Sequence, residues 1–479
     1  MKNLHKYFLL MTILLGAASC DELLEVEPEQ SLTTSASFAD ENTSFASLMG
    51  VYSLAQDFDV LGSITAVISE YQADNVRFVG SFPTLQDINN FVTNADNGSV
   101  RTIWQDHYRA ILAANAVIAN VPGVQDPGFT DAERAQFIGE AKFMRALLYH
   151  NLVNLFAQPY NVSNGGTPGV PLVLEPNILN GETVFPARSS VAEVYTQMEK
   201  DLTDALAALP EKYSSADQTR GRATKGAVNG LLSRLMLYKG DNAKAVQYAD
   251  AVINNKAQFA LAGDFTFYDG NTAEDIFSIQ MTATDNSRTG AGGWSGYYLP
   301  AARGGRGDAA IGADLLAAYD QDNDKRFTTL TFSGTDASGV AAVFTNKFKD
   351  GATNTDNSPI LRVTEMYLNK AEALVKSSNT VSQEAIDMIN PLLSRAGLST
   401  IGTSDFADAN ALLERILLER RKELAFEGHR RMDLLRNGKP LRTSGAGAGS
   451  SSAGDPKVIL PIPQREIDLG AALPQNAGY

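Results

Sequence analysis

Cysteine is all but missing from this chain. One residue, Cys20, stands in 479, so no internal disulfide can hold the fold together. Histidine is nearly as scarce. His5, His107, His150 and His429 lie far apart and none sits in an HExxH or ExxH arrangement, which excludes a zinc site of the common kinds. There are only two tryptophans, Trp104 and Trp294. Basic residues are outnumbered, 40 Lys and Arg against 55 Asp and Glu, giving a net charge of −15 and excluding nucleic acid as a partner. The glycine-rich segments 290–307 and 445–454 fit neither GxGxxG nor GxxxxGK[ST], so no phosphate cradle and no nucleotide cofactor is expected. Asp320, Asp322 and Asp324 open like a calcium loop, but Lys325 and Thr331 stand where the loop needs Gly and Glu. A turn with solvated carboxylates and no metal is the expectation there.

What is present describes a globular protein. Hydrophobic residues make up 44% and charged residues 20%, and the length can bury a large core. The N-terminus stands apart. Lys2, His5 and Lys6 precede a short apolar run at 7–15, small residues follow at 16–19, and Cys20 comes next. The run is too short to span a bilayer permanently. It reads as a lipoprotein signal peptide, 1–19, ending in the lipobox Ala17-Ala18-Ser19-Cys20, with Cys20 acylated as the mature N-terminus and anchoring the chain to a membrane. Residues 20–36, acidic at their start, form a tether, and 37–479 form a single domain.

Apolar spacing of three and four residues predicts helices at 37–55, 100–120, 130–156, 189–209, 223–239 and 242–254. Trp104 falls on the core stripe of the second, and His150 reads as a structural histidine in the third. Leu232, Leu235, Tyr238, Gly240, Ala243, Ala245 and Tyr248 look like a degenerate tetratricopeptide unit. The pairs 130–156 with 189–209 and 358–376 with 381–396 are further candidate hairpins. Between 61 and 97 the texture is mixed, and from 259 to 351 aromatic and β-branched residues alternate with turn formers, as in short strands and loops. Residues 444–454 read as a mobile Gly/Ala/Ser loop. The expected class is mainly α, with tetratricopeptide-like hairpins plus loops and short strands.

The chain is organised around 413–437, LERILLERRKELAFEGHRRMDLLRN. Its helical stripe of Leu413, Leu417, Leu424 and Leu434 also carries Arg420, Glu427 and Arg431. Charges on a buried face are expected to engage each other or the carbonyls of neighbouring helices. Gly428 marks a bend between two helical pieces. Glu423 and Glu427 could suit a glycosidase, but Arg420, Arg421, Arg430 and Arg431 alongside would lower both carboxyls, which favours structural ion pairing.

The pattern ERxxELxFEGxRxxDL at 419–434 resembles the C-terminal signature of the SusD/RagB family of outer-membrane lipoproteins. EAKFMRALLYHNLVNLF at 140–156 is similar to a second signature. The third, LRxxExYLxxAEA, has Arg362, Glu365, Tyr367 and Glu372 in place. YDQDNDKRF resembles the family's D-x-R loop, and the ending at 457–479 and the acidic stretch after Cys20 agree. The resemblance implies a SusD-like fold and a non-enzymatic lipoprotein at the outer cell surface. Such a protein binds an oligosaccharide and passes it to a SusC-like TonB-dependent transporter. A RagB-like peptide binder and a surface glycoside hydrolase are the alternatives. Sugars want exposed rings with carboxylate, amide or guanidinium groups nearby. Trp294, Tyr297 and Tyr298 in the glycine-rich loop, with Phe82, Asp74, Asn75 and Arg77 in the other irregular region, are therefore the expected ligand-binding residues.

Overall fold

A computed structural model of the chain describes residues 34–175, 178–179, 182–183, 186–287, 292–469 and 473–479. The signal peptide, Cys20 and the tether up to residue 33 lie outside the described residues.

After one helical turn at Thr34–Ser37, where the tether was expected to end, α1 (Glu41–Gln56) starts four residues later than its apolar spacing predicts. Asp40 sets the start: its carboxylate accepts from the Thr43 N–H at 2.8 Å, and the Thr43 hydroxyl oxygen accepts from the Asp40 N–H. After a single π turn at Phe58–Gly62, α2 (Ile64–Tyr71) occupies part of the region that reads as mixed. The long helices α3 (Gly98–Asn120) and α4 (Asp131–Phe156) fall where expected, α4 opening on a capping box between Thr130 and Glu133. Trp104 is a core residue. α5 (Val191–Ala208) lies along α4. α6 (Lys225–Lys239) and α7 (Asn242–Ile253) form the expected hairpin, turning at Gly240 with φ +85°. Helix α8 is one short turn, Trp294–Tyr298.

The array continues with α9 (Val363–Ser378), α10 (Gln383–Arg395), α11 (Ala409–Leu424) and α12 (Arg430–Arg436), and short helical turns lie at Pro83–Asn89, Ala216–Gly221, Ala313–Ala318, Lys325–Leu330 and Gln464–Asp468. Packing runs continuously from α1 through α3, α4, α5, α6 and α7 to α9, against which α10 and α11 close. The fold is thus mainly α, as the sequence implies. α9 begins at Val363 rather than near 359, because 358–362 pairs with another segment as a strand.

Short strands punctuate the array: β1 (Val76–Phe78), β2 (Asp275–Ile279), β3 (Ala309–Ile311), β4 (Thr331–Thr335), β5 (Ala341–Thr345) and β6 (Ser358–Arg362). They pair antiparallel as β1 with β3, β2 with β6, and β4 with β5.

The charges at 413–437 are buried and paired: Arg420 and Arg436 engage Asp433 within the stretch and Arg431 reaches a carbonyl of a neighbouring helix, as expected, while Glu419, Glu423 and Glu427 take cations from elsewhere in the chain. Arg420 donates to Asp433 at 2.8 Å and to Asn369 Oδ1 at 2.7 Å. Glu427 accepts from Arg362 and Lys347, each at 2.8 Å. Arg431 donates to Gln72 Oε1 at 2.9 Å and to the carbonyls of Asn154 and Val458. Glu419 and Glu423 take Arg326 and Arg395 as partners. These cations come from other elements, so helix periodicity could reveal the buried charge but not its counterion. Asp324 also departs from expectation: it is buried against Arg326 at 2.7 Å instead of being solvated. Gly428 does mark the bend. Its φ is +83°, and a Cβ there would lie 2.8 Å from Ala66 Cα.

The last residues complete the core. Leu460 N–H donates to Leu155 O at 2.8 Å, and the Asn476 amide donates to Phe156 O and Leu460 O at 2.8 and 2.7 Å. The carbonyls of Leu155 and Phe156 end α4, where no intrahelical partner exists.

Candidate functional site

The two irregular regions singled out in the sequence are brought together by one ladder. β1 and β3 pair with Val76 opposite Ile311, Arg77 opposite Ala310 and Phe78 opposite Ala309. Val79 N–H extends the contact to Asp308 O at 2.7 Å. Gly80 is required at the next turn, since a Cβ would lie 2.6 Å from both Asp308 Cγ and the Phe78 ring.

Phe82 then emerges, 49% exposed. The Arg306 guanidinium lies 5.3 Å from the Phe82 ring centroid and 5.1 Å from that of Tyr297, and it donates to Asp308 Oδ2 at 2.6 Å. Arg77 donates to Asp336 at 2.6 Å, its side chain exposed and the carboxylate inside. The Ser338 hydroxyl, the Val340 N–H and Arg77 hold that carboxyl at about 2.

The three aromatic residues of the glycine-rich loop are not on the surface. Trp294, Tyr297 and Tyr298 are 3%, 3% and 0% exposed, which corrects the expectation of an open aromatic loop. The cause is long-range. Trp294 and Tyr298 pack on Phe348 at 5.0 and 6.1 Å, and Tyr298 meets Phe426 edge-on at 5.4 Å. Nothing within residues 290–308 announces either partner.

Asn75 is also buried, which corrects its placement at the surface. It donates to Glu70 Oε2 at 2.9 Å and accepts from Arg421 at 2.8 Å. Asp74 is half-buried and takes both Arg430 nitrogens at 2.6 and 2.8 Å. Burial opposes its ionisation, but Arg430 and Arg421 outweigh that and keep the carboxyl below its usual range. Of the expected residues, Phe82 and Arg77 are therefore exposed, Asp74 lines a cleft, and the other four stand behind them.

That cleft holds about 350 Å³ and is lined by Asp74, Arg77, Phe78, Asn89, Asp314 and Arg442, with residues 443–446 closing one side. Arg442 donates to Ala73 O at 3.1 Å and to Asn89 O and Oδ1 at 2.9 and 2.7 Å, and also to Tyr71 O. The loop expected to be mobile is closed at its base by Leu441 N–H to Ser451 O at 2.9 Å, and Gly447 seats it on Phe91. Sequence reasoning missed Arg442, Asn89 and Asp314. The only signal for the loop was its glycine content, which says nothing about what it covers.

Carboxylates, two guanidinium groups, an amide and the half-buried Phe78 ring around one cleft supply the donors, acceptors and apolar face that a polyhydroxylated ligand requires. Burial opposes ionisation of Glu423 and Glu427, yet Arg395 and Arg326 beside the first lower it and Arg362 and Lys347 hold the second well below the usual carboxylate range, the wrong direction for a general acid. His150 is buried beside Asn154 and driven down to about 3. Among the described residues one set of carboxylates, Asp57, Asp59 and Asp106, brings oxygens within 4.8 Å of one another; Asp57 also accepts from the Asp59 N–H at 3.0 Å.

Fold and cleft define a class: a mainly helical scaffold of paired helices that carries a ligand-sized surface on inserted loops. The chain belongs to the SusD/RagB family. A family profile described as "SusD family" matches residues 341–479, and one described as "Starch-binding associating with outer membrane" matches residues 22–237. The chain is 27% identical over 441 residues to SusD-like protein P2 of Formosa agariphila, covering 82% of this chain and 83% of that protein. A crystal structure of a SusD superfamily protein from Bacteroides thetaiotaomicron superposes with a TM-score of 0.79 at 26% identity, over 91% of this chain and 99% of the other. A laminarin-binding SusD-like protein shares the fold, with a TM-score of 0.74 at 24% identity over 92% and 100% of the two chains. Among the described residues no helix is long and apolar enough to cross a membrane.

Proposed function

We propose that the chain is a glycan-binding lipoprotein of the outer membrane that captures an oligosaccharide at the cell surface without turning it over. The observation that carries this reading is the juxtaposition made by β1 and β3: exposed Arg77 and half-buried Phe78 line the cleft with Asp74, Asp314 and Arg442, and exposed Phe82 follows four residues further along the chain. A ring face for the sugar's C–H surface lies beside groups that satisfy its hydroxyls. The laminarin-binding relative supports the ligand class, and the description of the matching profile supports the location.

In this reading residues 1–19 are removed, acylated Cys20 anchors the protein, residues 20–36 are the tether, and 37–479 form the binding domain. Captured glycan passes to a SusC-like TonB-dependent transporter, a step supported by family membership. Isothermal titration against panels of neutral and charged glycans and of peptides tests the assignment. A cognate glycan is expected to bind. Phe82→Ala and Arg77→Ala each weaken it about ten-fold, the scale of one lost stacking or charge-assisted contact, with the melting temperature unchanged. Binding of peptides alone would replace the sugar assignment with a peptide one.

A further inference from the structure

A second pocket opens on the β2–β6 ribbon and shares no lining residue with the cleft. It holds about 160 Å³, room for on the order of ten water-sized groups and so for one pyranose ring. Aromatic walls come from the turn carrying Phe267 and Tyr268 and from Phe348 opposite; Tyr268 and Phe348 meet edge-on at 6.3 Å. Behind Phe348 lie Trp294 and Tyr298, which fix that wall from the core side.

The lining carries both signs of charge, Asp269, Asp275 and Asp356 against Arg362, and Arg362 is already paired with Glu427 and Glu274, so no field of one sign selects an ion. Arg362 forms part of its lining, 2% exposed, with its guanidinium 4.9 Å from the Phe267 centroid and 5.5 Å from that of Tyr268. The ring faces already carry a cation, so a cationic ligand would meet a like charge. Asp275 and Asp356 line the same space and repel an anion. Burial raises both carboxyls, that of Asp275 to about 6, so each gains from a neutral hydroxyl donor.

Asn271 donates to Gln280 Oε1 and Asp217 Oδ1 at 2.6 and 2.8 Å and Asn357 Oδ1 accepts from the Met281 N–H at 2.8 Å, which leaves the Asn357 amide nitrogen as the adaptable donor of the lining. Asn357 Nδ2 reaches Asn271 Oδ1 and Gln280 Oε1 at 3.3 Å each, long bonds that a better partner can displace. Acceptors and donors thus alternate around an apolar wall, the inventory a ring of hydroxyls satisfies. We propose that this pocket is a separate binding site for a single neutral sugar residue.

Saturation-transfer NMR on the full chain, with methyl β-glucoside, methyl β-galactoside and methyl α-mannoside as probes and tetramethylammonium and acetate as charged controls, tests this directly. Gly270 lines the pocket mouth, and a Cβ there would meet nothing within 4 Å, so Gly270→Trp places a ring at the mouth without disturbing the fold. At least one glycoside is expected to show transfer. Gly270→Trp should reduce it about ten-fold, as expected when the pocket's hydrogen bonds are blocked, while Phe82→Ala leaves it unchanged. A soaked wild-type crystal gives the second readout, with density for the glycoside against Phe348. No transfer from any of the three glycosides, stronger transfer from either charged control, density elsewhere, or loss with Phe82→Ala but not with Gly270→Trp would each overturn the proposal. None of those outcomes touches oligosaccharide binding at the cleft, which is tested by its own variants.

Discussion

Glu427 accepts from Lys347 and Arg362, two cations delivered by different segments, and all three side chains are at most 3% exposed. Removing the carboxylate leaves two buried cations short of their counterion. Glu427→Ala is therefore expected to cost about 3–5 kcal/mol in chemical denaturation, whereas a solvated pair would cost under about 1 kcal/mol. Trp294 and Phe82 make the opposite test of a site. Trp294→Ala opens a cavity against Phe348 and should cost about 3–5 kcal/mol, while Phe82→Ala, at an exposed ring, should stay within about 0.5 kcal/mol. Binding measurements then separate the two, because only the Phe82 change lowers affinity without lowering stability. The sequence pointed to Phe82, Arg77 and Asp74 because polar and aromatic residues were crowded between helices, and the structure leaves the first two exposed and the third at a cleft. The sequence misplaced Trp294, Tyr297 and Tyr298 because exposure in a loop is decided by Phe348 and Phe426, whose approach is purely tertiary.

α2 meets the 424–430 bend at a point where two elements constrain each other. Gly428 N–H donates to Glu70 Oε1 at 3.2 Å, and Gly428 itself has no room for a Cβ against Ala66. Gly428→Ala is expected to destabilise by about 1–3 kcal/mol through left-handed strain and the clash with α2, as read by thermal melting. Glu70 gives the same junction a pH dependence. Burial lifts its carboxyl to about 7 in the folded state, from 4.5, against the opposing bonds from Asn75 and Gly428. A carboxyl raised on folding adds stability that is fully present below about 4.5 and is lost as pH rises through about 7. Relative to Glu70→Gln, the wild type should therefore lose stability between about pH 5 and 8, by up to about 3 kcal/mol, in parallel denaturation series. His107 and His150, held neutral at about 4 and 3, act in both proteins alike and cancel in that difference. The long helices were legible from apolar spacing, whereas α2 and α8, one or two turns each, lay in stretches read as mixed or as strands and loops, too short to show a period. The start of α1 and the strand at 358–362 were not legible either, because one depends on the Asp40 cap and the other on a β2 partner far away in sequence.

For the whole molecule, anchoring and capture are separable. Native protein should carry acyl chains on Cys20 by intact-mass analysis, and Cys20→Ala should leave the membrane fraction while keeping wild-type glycan affinity. The way the C-terminal segment is built in has a further consequence, for the timing of folding. A chain made from its N-terminus has the residues of α4 long before residues 458–476 exist. Until they arrive, the carbonyls of Leu155 and Phe156 and the Arg431 guanidinium lack partners that the finished fold supplies. Burying them without those partners is unfavourable, so the core cannot close early. A chain interrupted before residue 458 stays open to proteolysis instead of settling into a near-native, binding-incompetent copy. Limited proteolysis of a chain truncated before residue 458 is therefore expected to cleave it faster than the full chain.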